Sequence, residues 1–426
     1  MKYLVSIYLL FCFGFLFSQS LETLAGSGER GLVNGSALTA QFAGLEQTAV
    51  DSEGNIYLCD TDNHVIRVIT NGVVSTYAGT GVAGDVLGSR ESAQFNFPIG
   101  IAIDDEDNIY ISDSYNFKIK VIRPDGMVEF IAGTGEEGSM DGDVSMAQFD
   151  HPVYLCVDDS NNLFVTGNED NRIRKIDMST NLVSTYAGSG LGYQDGPSDV
   201  ARFNRPQGIA IDIEGNLFVG DRDNHVIRKI SPDGMVTTLA GTGFAGYFDG
   251  AGSQAAFNGP KGVAVDAFGN VYVADRLNFV VRKIDPEGVV STVAGTPGIS
   301  GYEDGGFLEG NLIGRAVAVM LIDEETVVVT DWENEVIRIL DLSTSTSVTN
   351  LERNNTIYLT PNPASHTTLI KGELGDIYTV VLYDASGRFI SSGAKRSVDL
   401  KYLSSGIYYV KIFNEAYSNV EKLVIE

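Results

Sequence analysis

Short runs in which apolar and polar residues alternate recur along the chain. The unit is clearest at residues 205–243, where the runs "GIAID", "NLFVGD", "HVIRKI" and "MVTTLAG" follow one another. The segments between them, "IEGN", "RDN" and "SPDG", place glycine or asparagine where a hairpin requires positive φ. Alternation with a period of two predicts strands, and the repeats show no helical periodicity. Each unit therefore predicts four antiparallel strands.

The interval between the units predicts the architecture. "AQF" begins at residues 40, 93 and 147 and returns as "ARF" at 201 and "AAF" at 255, a spacing of 53 once and then 54. Four-stranded units at such a period are typical of β-propeller blades. The first three strands occur six times, but the sixth unit lacks a fourth strand, whereas "LETLAGSG" precedes the first complete unit. We predict an all-β fold with a six-bladed propeller whose N-terminal strand closes the last blade.

Glycine-rich connectors join the units. The pattern G-x-G-x-x-G of dinucleotide-binding loops is met at Gly26, Gly79, Gly133 and Gly241 and nearly met at Gly188. A phosphate site of that type requires a following helix, whereas these glycines lead into a loop and then a strand. We therefore expect connectors between blades and no nucleotide site.

The N-terminus predicts export. Lys2 is followed by the apolar run Tyr3 to Phe17, which is shorter than the roughly 20 residues that span a bilayer. We assign residues 1–20 to a signal peptide, with a buried strand or a membrane anchor as the alternative, and residues 21–350 to the propeller. No transmembrane segment is expected in the mature chain, and Cys59 and Cys156 are expected as buried thiols rather than a disulfide.

Charge limits the partners. The net charge is −27, and because residues 352–426 hold 8 acidic and 8 basic residues and the leader adds +1, the middle segment carries −28. Such a surface repels nucleic acid and anionic lipid and favours neutral or cationic partners, and solubility outside the cell is the preferred explanation of the charge.

The repeat matches a known family. The pattern "PxGIAxDxxGNxYVxDxxNHVIRKI" resembles the NHL repeat over about residues 20–351, with its triplet at Asn63–Val65 and at Asn224–Val226. The resemblance implies a six-bladed propeller and, for most such propellers, a binding platform. Related lyases and lactonases carry metal sites in the central channel.

A second resemblance follows a Ser/Thr-rich linker at 342–355. "LTPNPASHTTLIKG", "VVLYDASGRFI", "LSSGIYYVKI" and "KLVIE" are similar to the C-terminal sorting domain of type IX secretion substrates, over residues 355–426. The alternating runs by themselves predict a small β-sandwich. The resemblance implies recognition by the type IX secretion machinery and a secreted or outer-surface location.

Candidate catalytic groups are sparse. His64 and His225 belong to the repeat triplet, His366 belongs to the tail, and a single remaining histidine, His151, cannot form the His-rich zinc site of the lyases. The aspartates ending the first two strands recur from blade to blade, which favours turn capping over metal binding. They are Asp51, Asp104, Asp158, Asp212 and Asp266, and then Asp60, Asp113, Asp221, Asp275 and Asp331, with Gly167 in blade 3. We predict no catalytic residue, no metal ligand and no cofactor, with calcium as the alternative.

Two surfaces are candidates for binding. The variable residues near the start of the inner strands are expected to line one mouth of the channel: Glu46, Gln47, Phe97, Tyr154, Gln207, Lys261 and Arg315. The connectors "GYQDG", "GYFDG" and "GYEDG" repeat a tyrosine and an aspartate, at Tyr193, Tyr247, Tyr302, Asp195, Asp249 and Asp304. These form either an arc for a peptide or glycan, or rings packed between blades.

We therefore expect a secreted or surface binding module for an extracellular protein, peptide or glycan, rather than an enzyme. The expected binding residues are Tyr193, Tyr247, Tyr302, Asp195, Asp249, Asp304, Tyr154, Lys261 and Arg315. The alternatives are a calcium- or zinc-dependent lactonase-like hydrolase or lyase with its site at the channel, and a purely structural surface protein.

Overall fold

The computed structural model describes residues 19–306 and 311–343, and the backbone of strands between residues 358 and 425. Nearly all of the predicted signal peptide, most of the linker and His366 lie outside the described residues. Among the residues that are described, no helix is long and apolar enough to cross a membrane.

Six antiparallel sheets form the blades, and we letter their strands a to e from the centre outwards. Each sheet has five strands rather than the predicted four, because the outermost strand has only two residues and leaves no alternating pattern in the sequence. Strands a of blades 1 to 6 are Leu45–Val50, Pro98–Ile103, Pro152–Val157, Pro206–Ile211, Pro260–Val265 and Ala316–Leu321. Strands b are Ile56–Asp60, Ile109–Asp113, Leu163–Gly167, Leu217–Asp221, Val271–Asp275 and Thr326–Asp331. Each strand a contacts strands a of its two neighbours, and blade 6 contacts blade 1, so the ring is closed.

The outer strands complete each blade. Strands c are Val65–Thr70, Lys118–Ile122, Arg172–Asp177, Val226–Ile230, Val280–Ile284 and Val336–Asp341. Strands d are Val73–Ala78, Met127–Ala132, Leu182–Ala187, Met235–Ala240, Val289–Ala294 and, in blade 6, Ser20–Ala25. The two-residue strands e are Gly35–Ser36, Gly88–Ser89, Gly142–Asp143, Gly196–Pro197, Gly250–Ala251 and Gly305–Gly306. Short 3-10 turns occur at Ala37–Thr39, Thr61–Asn63, Ser114–Asn116, Arg222–Asn224 and Arg276–Asn278.

The N-terminal strand closes the ring, as the sequence predicts. Leu21 pairs with Leu340 and with Gly305, so Ser20–Ala25 lies between strands c and e of blade 6. Leu21 and Ala25 are fully buried. The six-bladed propeller with an N-terminal closing strand is therefore confirmed.

The aspartates that end strands a cap the following turn. Asp51 Oδ1 accepts hydrogen bonds from the backbone N–H groups of Glu53 at 3.0 Å and Asn55 at 2.8 Å. The same two hydrogen bonds, from the backbone N–H groups two and four residues later, are accepted by Asp104, Asp158, Asp212 and Asp266. This confirms the predicted structural role of these carboxylates.

A buried cation occupies the interior of every blade. In blade 4, Arg228 is fully buried, its Nη1 lies 2.7 Å from Asp221 Oδ2, and its guanidinium lies 4.9 Å from the ring centroid of Phe203. A bulge between strands c and d adjoins the arginine and turns its side chain inward. The equivalent cations are Arg67, Lys120, Arg174, Arg282 and Arg338.

Blade 3 departs from this arrangement at Gly167, and the sequence alone does not show what replaces the missing aspartate. A Cβ on Gly167 would lie 1.9 Å from Asp170 Oδ1, so the Asp170 carboxylate fills the vacated space. Asp170 lies 3.9 Å from Arg174 Nη1, and its Oδ2 has no hydrogen-bond partner among the described residues. Burial accordingly raises the pKa of Asp170 to about 6.

The C-terminal unit consists of two antiparallel sheets. One contains Tyr358–Thr360, Thr367–Lys371 and Ser397–Asp399; the other contains Phe389–Gly393, Thr379–Asp384, Gly406–Asn414 and Tyr417–Ile425. The strands agree with the alternating runs of the sequence, whereas the sandwich packing of the two sheets stays a prediction.

We expect Arg228→Met to lower the free energy of unfolding by about 3–5 kcal/mol, because it leaves the buried Asp221 carboxylate without its cation. The matched control is Arg123→Met, which removes a surface pair with Glu129 and costs at most about 1 kcal/mol. Urea unfolding of the two variants measures the difference. Equal midpoints would contradict a central role for the buried cation.

Asp170 predicts a pH dependence of stability. Because its pKa is raised in the folded state, the folded protein binds this proton more tightly than the unfolded chain does. The resulting stabilisation is complete below about pH 4 and is lost as the pH rises through about 6, by up to about 3 kcal/mol. Urea midpoints at several pH values should decline across this window in the parent protein relative to Asp170→Asn. Parallel profiles would show that Asp170 does not titrate there.

Candidate functional site

Strands a approach one another closely around the propeller axis. A Cβ on Gly208 would lie 2.3 Å from the carbonyl oxygen of Lys261, and one on Gly262 would lie 2.5 Å from the Cα of Ala318. The glycines in the sequence "P-x-G" therefore permit the close approach of neighbouring backbones. We call the side on which strands a begin and strands b end the upper face.

Tyr154 occupies one of these glycine positions and reaches across the axis. Its side chain is 1% exposed, and its hydroxyl lies 2.9 Å from both the Val317 carbonyl oxygen and Glu46 Oε2. Burial, followed by the adjacent Glu46 carboxylate, raises the pKa of Tyr154 well above its ordinary value. Tyr154 thus joins blade 3 to blades 1 and 6 and forms part of the floor of the upper mouth.

Lys261 completes this floor. Its Nζ lies 2.7 Å from Glu46 Oε1 and 2.6 Å from Glu46 Oε2, and 5.5 Å from the centroid of the Tyr154 ring. Burial lowers the pKa of Lys261, and the Glu46 carboxylate opposes that shift. Of the nine expected binding residues, Tyr154 and Lys261 are brought together, with Glu46 between them.

Three arginines surround the mouth above this floor. Arg222 and Arg276 are the first residues after strands b of blades 4 and 5, and Arg315 precedes strand a of blade 6. Burial lowers the pKa of Arg276, the charges of Arg222 and Arg315 lower it further, and the Glu46 carboxylate opposes the shift. The three arginines are only partly exposed.

The three arginines differ in how far protein groups neutralise them. Arg222 Nε lies 3.1 Å from Asp223, and Arg315 Nε lies 3.9 Å from Glu333. Arg276 has no hydrogen-bond acceptor within the described part of the chain, and its guanidinium lies 5.9 Å from the ring of Trp332. Arg276 is therefore the group most available to an external anion.

Sequence reasoning identified Arg315 but missed Arg222 and Arg276, because it considered the starts of strands a and not the ends of strands b. The position after strand b varies around the ring, which was the available signal: it holds Thr61, Ser114, Asn168, Arg222, Arg276 and Trp332. The mouth is thus locally cationic in a chain whose net charge is −27.

The remaining residues predicted for the mouth have structural contacts. Gln47 donates a hydrogen bond to the Leu155 carbonyl and accepts one from the Ile101 N–H, so it links blades 1, 2 and 3. Gln207 donates to Asn168. Phe97 packs against the rings of His64 and Tyr115.

The connector tyrosines and aspartates surround the buried arginines. Tyr247 lies over Arg282 at 4.9 Å, and its hydroxyl lies 2.7 Å from Thr292 Oγ1. Asp249 Oδ1 lies 2.6 Å from Arg282 Nη2. The same contacts unite Tyr193, Asp195 and Arg228, and Tyr302, Asp304 and Arg338. The tyrosine side chains remain 39–48% exposed. The hydroxyl and one face of each tyrosine ring are therefore engaged in contacts within the propeller. A role of these tyrosines in ligand binding stays a prediction.

The two histidines of the repeat triplet, His64 and His225, have the structural role that the sequence predicts. His64 Nδ1 accepts a hydrogen bond from the Phe97 N–H at 3.2 Å, and His225 Nδ1 accepts one from the Gly259 N–H at 3.1 Å. Each therefore links its blade to the next. Cys59 and Cys156 are free thiols, as expected.

Sequence comparison identifies both parts of the chain. The NHL repeat model matches residues 95–122, in blade 2, and the secretion system C-terminal sorting domain matches residues 356–426. The predicted NHL propeller with a type IX sorting domain is confirmed, and the sorting domain directs the protein to the cell surface or the medium.

Curated relatives share the propeller. The chain is 29% identical over 282 residues to protein SUPPRESSOR OF QUENCHING 1, chloroplastic, of Arabidopsis thaliana, covering 62% of this chain and 27% of that protein. It is 28% identical over 336 residues to NHL repeat-containing protein 2 of Bos taurus, covering 70% of this chain and 46% of that protein. The chain therefore spans less than half the length of these relatives.

Solved structures show the same fold at low identity. An auxiliary nutrient binding protein from Bacteroides thetaiotaomicron superposes with a TM-score of 0.58 and 17% identity, covering 76% of this chain and 77% of the other. A gluconolactonase from Xanthomonas campestris superposes with a TM-score of 0.50 and 13% identity, covering 76% and 90%. A binding protein and an enzyme thus share this architecture, and the fold does not distinguish between them.

We expect the triple change of Tyr193, Tyr247 and Tyr302 to Ala to lower stability by about 1 kcal/mol per ring, because each ring loses its contact with a buried guanidinium. The matched control is the triple change to Phe, which keeps the rings and removes only the hydroxyls. Urea unfolding compares the two. A triple Ala variant as stable as the parent would exclude the packing interpretation.

Proposed function

We propose that this exported NHL-repeat propeller is a binding module that holds a carboxylate-bearing extracellular glycan at its upper mouth. The observation that carries the proposal is Arg276, a partly buried guanidinium without a hydrogen-bond acceptor among the described residues, with Arg222 and Arg315 nearby. Unpaired buried polar groups cost free energy, so their persistence in a cleft is typical of a ligand site.

The electrostatics favour an anion. Bringing Arg222, Arg276 and Arg315 together costs repulsion, which a bound carboxylate relieves. The planar guanidinium also matches a carboxylate with two parallel hydrogen bonds. Lys261 and Glu46 neutralise each other below, so the positive charge at the mouth belongs to the arginines.

The neighbouring side chains favour a sugar as the carrier of that carboxylate. Trp332 lies beside Arg276 and is partly exposed, and indole rings stack on apolar faces of ligands. The sorting domain takes the protein to the cell surface or the medium, so the ligand is an extracellular one. An acidic peptide is the other anionic chain that the same charges would attract.

The arrangement supports binding over metal-dependent hydrolysis at the channel. In the part of the mouth that the structure describes, Glu46 is the carboxylate on the floor, and both of its oxygens already contact Lys261. A divalent cation there would lie among four cationic side chains, which opposes its binding. The alternative of a calcium- or zinc-dependent lactonase-like enzyme at this mouth is therefore the weaker one.

We expect the full-length protein to bind polygalacturonate and not its methyl ester, because esterification removes the charge while keeping the sugar. Arg276→Gln should weaken binding roughly tenfold to 100-fold, the equivalent of about 1.5–3 kcal/mol for a hydrogen bond to a charged group. Added salt should weaken binding as well. Titration calorimetry measures each comparison.

The control is Arg90→Gln, which changes a partly exposed arginine that follows the outermost strand of blade 2 and pairs with Glu91. This variant should bind as the parent does. Equal affinity for the acid and its ester, or binding only of polyglutamate, would overturn the glycan assignment. A stoichiometric metal at the mouth of the purified protein would favour the hydrolase.

A further inference from the structure

We propose a second site, a zinc site formed by Glu137, Asp150 and His151 on the upper side of blade 3. One potential ligand atom from each of these residues lies within 4.8 Å of the other two. His151 and Asp150 are mostly buried, with side chains 26% and 18% exposed, and Glu137 is exposed. This site belongs to blade 3, whereas the three arginines of the mouth belong to blades 4, 5 and 6.

The backbone explains why the three residues meet. Glu137 forms an isolated parallel bridge with Phe149, and the Gly138 N–H donates to the Phe149 carbonyl oxygen at 3.2 Å. Asp150 and His151 follow Phe149 directly, before strand a begins at Pro152. The connector therefore lies alongside the entry to blade 3, and both segments present their side chains at the upper side.

The other blades show that this set is specific to blade 3. The position of Glu137 is held elsewhere by Arg30, Ala83, Leu191, Ala245 and Ser300. The position of Asp150 is held by Ala43, Asn96, Asn204, Asn258 and Gly314, and that of His151 by Gly44, Phe97, Arg205, Gly259 and Arg315. Only in blade 3 do these three neighbouring positions in space all hold residue types that bind metals, and the other blades fold without them.

The backbone conformation at His151 does not depend on its side chain. Its φ is +46°, in the left-handed region, and Phe97 and Arg205 have φ of +52° at the equivalent position. The repeat fixes this conformation whatever the side chain is. The imidazole of His151 is therefore not needed for the turn.

The distances suit a small divalent cation. His151 Nδ1 lies 3.0 Å from Asp150 Oδ1. This contact is a hydrogen bond in the metal-free protein, and the ligands of tetrahedral zinc, at about 2.0–2.2 Å from the metal, are separated by about 3.3–3.6 Å, so the two groups need to part only slightly. Glu137 is exposed and needs a movement of at most about 1.5 Å to join them, because the ligand atoms lie within 4.8 Å of one another and those of tetrahedral zinc are about 3.3–3.6 Å apart. One imidazole and two carboxylates leave an open position, which is typical of zinc sites that hold water or a ligand.

The surroundings support the site in two ways. The imidazole lies 5.1 Å from the ring of Tyr115 and 5.0 Å from that of Phe117, both edge-on, which fixes its orientation. Asp170 adds a nearby buried negative charge, whose Oδ2 has no hydrogen-bond partner in the described parts of the chain. These carboxylates attract a cation, and Arg172 and Arg174, whose charges lower the pKa of Asp170, offset part of the attraction of Asp170.

The test is titration of zinc into the full-length chain, purified without a histidine tag and treated with chelator, with heat of binding and thermal unfolding as readouts. We expect one equivalent of zinc to bind and to raise the unfolding temperature. His151→Gln and Asp150→Asn should each weaken binding by at least about tenfold. The matched control is His225→Gln, which changes a repeat histidine of blade 4 and should leave zinc binding unchanged.

Three results would overturn the proposal. They are no binding by a protein whose folding is verified by circular dichroism, equal binding by the parent and the His151→Gln variant, and stoichiometric binding of calcium without zinc. Because Arg276→Gln leaves these three ligands intact, zinc binding by that variant separates this site from the proposed glycan site.

Discussion

The ion pair between a buried cation of strand c and the aspartate that ends strand b organises the propeller. Arg228 and Asp221 are both fully buried at 2.7 Å, and breaking such a pair exposes neither group to water. The aspartate also accepts the N–H of Asn204 and the side-chain amide of Asn224. A single carboxylate thus fixes the end of strand b, the turn that follows and the entry to strand a of its own blade.

The location of the mouth follows from this constraint. Because the end of strand b is held, the next residue has a defined position near the axis whatever its side chain is. Threonine at this position links two blades, because Thr61 Oγ1 donates to the Pro98 carbonyl oxygen at the start of strand a of blade 2. In blades 4 and 5 the same position holds Arg222 and Arg276. Their side chains place positive charge at the mouth of the channel, and the backbone keeps the fold of the repeat. The buried ion pair therefore supplies the rigid frame that preorganised recognition requires.

Features that repeat in sequence were predictable, and features that depend on contacts across the ring were not. The number of blades, the closing N-terminal strand and the capping role of Asp51 follow from periodicity and turn chemistry, whereas the two-residue strands e are too short to leave an alternating pattern. The replacement of Asp113-type carboxylates by Asp170 in blade 3 does not, because Gly167 and Asp170 are related only through the folded turn. The contact of Tyr154 with Glu46 and Val317 likewise joins residues 108 and 163 positions apart. No local pattern contains that information.

Positions that repeat in every blade stabilise the fold, whereas positions that differ between blades form the proposed binding sites. Glycine at positions 208 and 262 allows strands to approach, and Tyr154 at the equivalent position instead contacts Glu46 of blade 1 and Val317 of blade 6. The same holds for Arg276 where other blades have Thr61 or Ser114, and for His151 where they have Phe97 or Gly259. Each departure keeps the backbone of the repeat, since the buried ion pair and the left-handed turn hold it. A propeller of this kind can therefore acquire a binding site by changing few side chains. Binding residues are expected at positions where the side chain in one blade departs from the repeat.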